Sequence, residues 1–206
     1  IFVRFDQPTA KMLKKISIIV VAAVFAITGG AWLTEITLAS FDRIGSVAIG
    51  NWTAYPFEGT PESDPYAKAR LARDANLALG AAEGVTFFAE SDAAGDTLVG
   101  NCDYRLSGEK LPARFWTLIL LESDKHPVKK SRDGLPVSIV SDNVVYGQAH
   151  QFEIEISTYA RPGNWLAAPA DRSFILALNL YDSPIATNKG LVETKLPSIS
   201  RVRCHG

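Results

Sequence analysis

The chain has 206 residues, of which 21% are charged: 21 lysines and arginines against 22 aspartates and glutamates. The resulting net charge of −1 gives no basic field of the kind that binds nucleic acid and no acidic solvating tract. Once the apolar segment near the N-terminus is set aside, about 165 residues remain, enough for one domain with its own core and tight for two.

The only methionine is Met12, so Ile1 to Lys11 reads as an extension that the fold argument leaves aside. From Ile16 to Thr34 there are nineteen residues without a formal charge. At 1.5 Å rise per residue, roughly 20 apolar residues cross a bilayer as a helix. Arg4, Lys11, Lys14 and Lys15 precede the segment, whereas Glu35, Asp42 and Arg43 follow it. The positive-inside tendency then gives a cytoplasmic tail over residues 1–15, a transmembrane anchor over 16–38 and an exported remainder. A cleaved secretory signal is the alternative: Met12-Leu-Lys-Lys supplies a charged start and Gly29-Gly30-Ala31 a small-residue cleavage site. The apolar character continues through Trp32, Leu33, Ile36 and Leu38, which favours the anchor. A buried core helix is disfavoured, because nothing else in the chain is apolar enough to surround it.

Residues 39–63 read as a juxtamembrane linker and an irregular approach to the domain, with Gly45, Gly50, Pro56, Gly59 and Pro61. Residues 64–206 form the expected β-rich domain. Asp64-Pro65 makes an N-cap with proline at the first helical position, and the helix is expected to run to Gly80 as its C′ glycine. Its stripe is Ala67, Leu71, Ala75 and Ala78; Lys68, Arg70 and Arg73 form a solvated flank rather than a headgroup patch. Beyond Gly80 the period shifts toward 2, with strands expected at Val85–Glu90, Asp103–Ser107, Phe115–Glu122, Leu135–Val140, Gln151–Thr158 and Ser173–Asp182. Phe152, Ile154 and Ile156 alternate with Glu153, Glu155 and Ser157, the pattern of a strand with one wet face. Phe115 to Leu121 is apolar on both faces, as in a central strand covered on each side, with the helix near residue 70 as a candidate cover. Short strands without intervening helices point to an antiparallel sandwich.

Cys102 and Cys204 are the only cysteines. In an exported domain they invite a disulfide, with two free thiols as the alternative. Neither lies in a C-x-x-C, and no metal set or cofactor motif is present. His126, His150 and His205 are scattered, and His150 and Glu153, three apart on an expected strand, face opposite ways. Glu153 and Glu155 share a strand face at a spacing that an acid pair could use, but a solvated face explains them better.

Five blocks carry a resemblance. Gly100-Asn-Cys-Asp-Tyr-Arg-Leu-Ser-Gly108, Leu111-Pro-Ala-Arg-Phe-Trp-Thr-Leu118, Arg161-Pro-Gly-Asn-Trp-Leu166, Leu178-Asn-Leu-Tyr-Asp-Ser-Pro184 and Leu196-Pro-Ser-Ile-Ser-Arg-Val202 resemble the family catalogued as domain of unknown function 1214, over roughly Tyr66 to Cys204. Gly50-Asn-Trp52 and Asp64-Pro-Tyr66 resemble its short, membrane-anchored bacterial branch, whereas Ser131-Arg-Asp-Gly134 matches no block. The resemblance implies a jelly-roll-like β-sandwich in the bacterial periplasm, held at the inner membrane by a single pass. It also implies a Cys102–Cys204 disulfide and, as one partner, the companion family numbered 1254. It brings no settled activity.

Within those blocks Tyr104, Arg105, Trp116, Arg161, Asn164, Trp165 and Tyr181 are the candidate ligand contacts. Aromatic faces beside planar donors suit a saccharide or an aromatic ligand, though each aromatic also fits plain sandwich architecture. No catalytic residue stands out. The first reading is therefore a membrane-anchored binding module for a protein partner or an envelope glycan. The second is an enzyme acting on a saccharide or small aromatic compound in a cleft of the sandwich.

Overall fold

A computed structural model describes residues 7–40, 45–57, 59–61, 63–74, 79, 83–128, 134–183 and 194–205. The chain divides into two compact units, Ile1–Ile44 and Gly45–Gly206.

The first unit is built on one helix, α1 (Gln7–Ser40), 34 residues long. Its segment Met12–Thr37 has a mean hydropathy of 2.3, long and apolar enough to span a membrane. The apolar side chains are exposed all around the helix, among them Ile19, Phe25, Ile27 and Trp32. A helix apolar on every face is stable only inside a core or in lipid, and this one is not in a core. Its hydroxyls suit lipid as well: Thr28, Thr34 and Thr37 donate to the carbonyls of Val24, Gly30 and Leu33, four residues back, at 2.7 to 2.8 Å.

The second unit is mainly β. Its strands are β1 (Val47–Ile49), β2 (Trp52–Ala54), β3 (Gly84–Ala89), β4 (Cys102–Gly108), β5 (Phe115–Glu122), β6 (Ser138–Val140), β7 (Phe152–Ser157), β8 (Trp165–Ala167), β9 (Phe174–Tyr181) and β10 (Ser198–Cys204). They form a six-stranded sheet in the order β1-β2-β3-β9-β5-β6 and a four-stranded sheet in the order β10-β4-β7-β8. From β3 onward the chain changes sheet at β3–β4, β4–β5, β6–β7, β8–β9 and β9–β10, while β5–β6 and β7–β8 stay within one sheet. All pairs are antiparallel except β7 with β8.

The core lies between the sheets. Phe152, Ile154 and Ile156 of β7 point inward with Tyr104 and Leu106 of β4, and meet Trp116, Leu118 and Leu120 of β5 and Leu176, Leu178 and Leu180 of β9. Trp116 stacks on Phe152 with ring centres 5.2 Å apart. Period-2 alternation is thus enough to place these strands, because burying the other parity would put Glu153 and Glu155 in the core.

The stretch read as an irregular approach differs from expectation. Gly50 and Asn51 form a two-residue turn, with Gly50 at φ 59°, and fold β1 onto β2 in the register Ile49↔Trp52. Trp52 is buried, and its indole N–H donates to the Pro197 carbonyl at 2.7 Å. Its strands are only three residues long, too short to show a period.

The helix α2 (Pro65–Asp74) starts as expected, with the Ala67 N–H donating to the Asp64 carboxylate at 3.1 Å. Ala75, Ala78 and Gly80 lie outside the described residues. His150, expected on a strand, sits instead in a 3-10 turn (Gln148–His150) at φ 57°, before β7 begins. Strands β8 and β10 carry no expectation from the sequence. β10 has a single buried residue, Ile199, amid serines and arginines, so its own side chains give no apolar signal.

Pairing of β10 with β4 sets Cys204 opposite Cys102, and the two sulfurs lie at disulfide distance. Close packing also explains Gly100, which opens the first block: a Cβ there would lie 1.6 Å from the Pro169 carbonyl oxygen.

Candidate functional site

Alternation that sends Tyr104 and Ile154 inward sends Asp103, Arg105, Glu153, Glu155 and Ser157 to the outer face of the four-stranded sheet. Cross-strand register aligns Ser200, Arg105, Glu155 and Trp165 as one rung across β10, β4, β7 and β8. Arg105 lies 3.8 Å from Glu153 and 3.6 Å from Glu155, and Arg161, from the loop before β8, lies 3.6 Å from the other oxygen of Glu155. Glu155 thus sits between two guanidinium groups and beside an indole.

Asp103 is the buried end of this face. Its side chain is 8% exposed, and one carboxylate oxygen accepts from Arg161 at 2.6 Å and from Arg203 at 2.8 Å. His205 lies 3.3 Å away. Burial, the largest influence on this carboxyl, pushes its pKa up. The Ser157 hydroxyl, Arg203, His205 and the Arg161 charge together overcome it and hold the group at about 2, below its ordinary 3.8. A β-bulge between Arg201 and Arg203 makes this possible by turning Arg203 onto Asp103 while Arg201 reaches Asp92 at 3.0 Å. At the same end, Tyr159 meets the His205 ring edge to face at 5.2 Å.

Four buried polar atoms of this cluster have no hydrogen-bond partner among the described residues: Asp103 Oδ1, Arg105 Nε, Arg161 Nε and His205 Nε2. The nitrogens sit within ion-pair distance of carboxylates yet outside hydrogen-bonding geometry.

The seven residues singled out in the sequence divide among three places. Arg105, Arg161 and Trp165 come together around Glu155. Asn164 stands next to them but is occupied: its amide accepts from the Val145 N–H and donates to the carbonyls of Val145 and Glu153, all within 2.9 Å, tying the loop to β7. Trp165 donates its indole N–H to Ser157 O at 3.0 Å, leaving its ring as the contact surface.

Tyr104 and Trp116 belong to the core. Tyr104 is 1% exposed, lies edge to face with Phe174, and its hydroxyl accepts from the Val99 N–H at 3.0 Å. Tyr181 is on the outer face of the other sheet, tilted against Phe115, where it lines a cavity of about 280 Å3 between β3, β9 and β5 and the residues Tyr55, Leu71 and Lys125.

Asp103, Tyr159 and Arg203 carry no expectation from the sequence, and Glu155 and His205 were weighed there but set aside, the one as part of a solvated face and the other as a scattered histidine. The signal for Asp103 and Glu155 was present, since both occupy outward parity beside candidate arginines, but parity alone does not tell a solvated charge from a buried one. Among the described residues, no group of three or more His, Cys, Asp and Glu is arranged to hold a metal ion.

The model of a family described as a protein of unknown function, DUF1214, matches residues 83–185, half of the chain. No curated protein matches the chain. Among solved structures, the VPA0106 protein from Vibrio parahaemolyticus is similar at a TM-score of 0.55 and 19% identity, over 67% of this chain and 35% of that one. An uncharacterized protein from Burkholderia cenocepacia is similar at a TM-score of 0.41 and 16% identity, over 89% of this chain and 52% of that one. The chain therefore spans between a third and about half the length of these two proteins. At 19% identity the first likeness concerns the fold alone.

Proposed function

The chain belongs to the DUF1214 family, and from that premise we propose that it is a membrane-anchored binding module of the bacterial envelope that holds a glycan on the outer face of its four-stranded sheet. In this reading α1 stays in the inner membrane, residues 1–15 remain cytoplasmic and the sandwich stands in the periplasm. Supporting the orientation are the lysines at 11, 14 and 15 and the acidic Glu35 and Asp42 on the other flank.

The observation that carries the glycan reading is the set of orphaned polar atoms around Glu155 and Asp103. Sugar hydroxyls donate and accept at once, so they complement a face where Glu153 and Glu155 stand 3.6 to 3.8 Å from the guanidinium groups of Arg105 and Arg161. The rings of Trp165 and the exposed Tyr159 add apolar surface for sugar C–H groups.

Binding is favoured over hydrolysis by the placing of the acids. Glycosidase carboxyls flank the scissile bond from opposite sides, about 5 to 9.5 Å apart. Glu153 and Glu155 instead stand two residues apart on one strand, both beside Arg105.

Calorimetric titration of the full chain in lipid nanodiscs with soluble glycan strands from the envelope tests the reading. Saturable binding that weakens about tenfold in Arg105→Ala and in Trp165→Ala is expected. Absence of binding, or wild-type affinity in both variants, contradicts it.

A further inference from the structure

We infer that the charged face takes a neutral glycan and refuses acidic ones, and that Glu155 is the residue that sets this choice. The inference rests on the glycan reading and adds the class of sugar. Its ground is the way charges follow one another across the sheet. Among the described residues, three guanidinium groups and three carboxylates share the outer face, and each cation stands against acids. Arg105 lies between Glu153 and Glu155, Arg161 between Glu155 and Asp103, and Arg203 on Asp103. Beyond them, at the edge of β10, Arg201 meets Asp92 and Asp96 in the same manner. No cation is left in excess, and His205 adds charge only when protonated.

An acidic sugar gains little from such a face. A carboxylate brought to Arg105 or Arg161 meets Glu155 at the same place, and it must give up its water for cations that already have partners. A neutral sugar meets no such conflict. Its hydroxyls donate to carboxylates and accept from guanidinium N–H groups without changing the local charge. The central rung extends this chemistry to β10, where the Ser200 hydroxyl donates to Arg105 O at 3.2 Å and keeps its oxygen as an acceptor.

Glu155 is distinguished from the other two acids by its place. Asp103 is buried and accepts from Arg161 and Arg203 at 2.6 and 2.8 Å, which makes it a fixture of the fold. Glu153 is exposed and stands by Arg105 alone, at 3.8 Å. Glu155 is partly exposed and reaches Arg105 with one oxygen and Arg161 with the other, both at 3.6 Å. It also faces Trp165 across one strand spacing, about 4.8 Å. A sugar stacked on the Trp165 ring therefore brings its substituents to Glu155. Without that charge, Arg105 and Arg161 would stand uncancelled where a ring carboxylate comes to rest, so Glu155 selects by exclusion.

The test is calorimetric titration of the full chain in lipid nanodiscs with chitotetraose, cellotetraose and tetragalacturonate, at low and at physiological salt. Saturable binding of a neutral oligosaccharide is expected, about tenfold tighter than tetragalacturonate and changing less than about twofold with salt. Glu155→Gln keeps the side chain's size and should move the two classes in opposite directions. Tetragalacturonate should bind about tenfold tighter at low salt, and the neutral oligosaccharide about threefold weaker, because an amide oxygen replaces one of two acceptors and the other becomes a donor. A merely structural role for Glu155 would weaken both. Tetragalacturonate bound by the wild type as tightly as the neutral sugars overturns the inference and leaves the glycan reading standing. An unchanged or uniformly weakened preference in Glu155→Gln does the same. Failure of both neutral oligosaccharides to saturate also overturns it, and if soluble envelope glycan strands fail as well, the glycan reading falls with it.

Discussion

The two outer faces of the sandwich are built by the same alternation and end in opposite states. On the four-stranded sheet every outward position near the centre is charged or polar, and Asp103, Glu155, Arg105 and Arg161 stand in ion-pair contact with one another. On the six-stranded sheet the outward positions are mixed, with Thr86, Asn179 and Thr117 on one rung and Phe88, Ala177 and Ile119 between Thr53 and Ser138 on the next, and a cavity remains beneath Tyr55, Leu71 and Lys125. The first face joins charges across its strands; the second leaves a hollow. An outward residue therefore says little about function until its neighbours on the rung are known.

Perturbing both faces sharpens the contrast. The largest effect is expected at the end of the charged sheet, where Cys204 meets Cys102 across a separation of 102 residues. Closing a loop of that length is worth up to about 4.7 kcal/mol in the chain-entropy model. Cys102→Ser should lower the denaturation midpoint of the β-rich unit accordingly, and thiol labelling of unreduced wild-type protein should find neither cysteine free.

Next comes Asp103→Asn, which leaves Arg161 and Arg203 without their shared partner and should cost about 3 kcal/mol in chemical denaturation. The same carboxylate gives a pH signature. Its folded pKa is lowered to about 2, so its stabilisation is fully present above the ordinary carboxylate value and is lost as pH falls from about 4 to about 2. That loss, about 2 kcal/mol, should be missing from the acid denaturation of Asp103→Asn.

A smaller change is expected at Tyr104. Tyr104→Phe deletes the acceptor of the Val99 N–H and should cost about 1 kcal/mol. Smallest of all, Lys125→Met on the hollow face should alter stability by no more than about 0.5 kcal/mol. A destabilisation there as large as at Asp103 would erase the distinction between the faces.

The sequence disclosed the sandwich wherever a strand was long and alternating. Phe152 to Ser157 could be placed by parity alone, and the doubly apolar Phe115 to Leu121 marked β5 as a strand with something on both sides. It did not disclose β1, β2, β8 or β10. The first three are three residues long, and β10 relies on its partner β4 for position rather than on its own apolar residues. The site was legible in part. Arg105, Arg161 and Trp165 stand in blocks whose residue types suggested a ligand, and they do meet around Glu155. Tyr104 and Trp116 stand in the same blocks for packing, as Gly100 does for close backbone approach. The cavity was not legible, because Thr86, Asn179, Ala177 and Ile119 are brought together only by pairing of strands far apart in sequence.

Hydroxyl-radical footprinting of the full chain in lipid nanodiscs, with and without saturating soluble envelope glycan, asks most directly whether the charged face holds a ligand. Protection at Trp165 and Tyr159, with Phe88 and Tyr181 unchanged, is the expected result. Unprotected Trp165 and Tyr159 at saturating glycan, or protection confined to the six-stranded sheet, would contradict it.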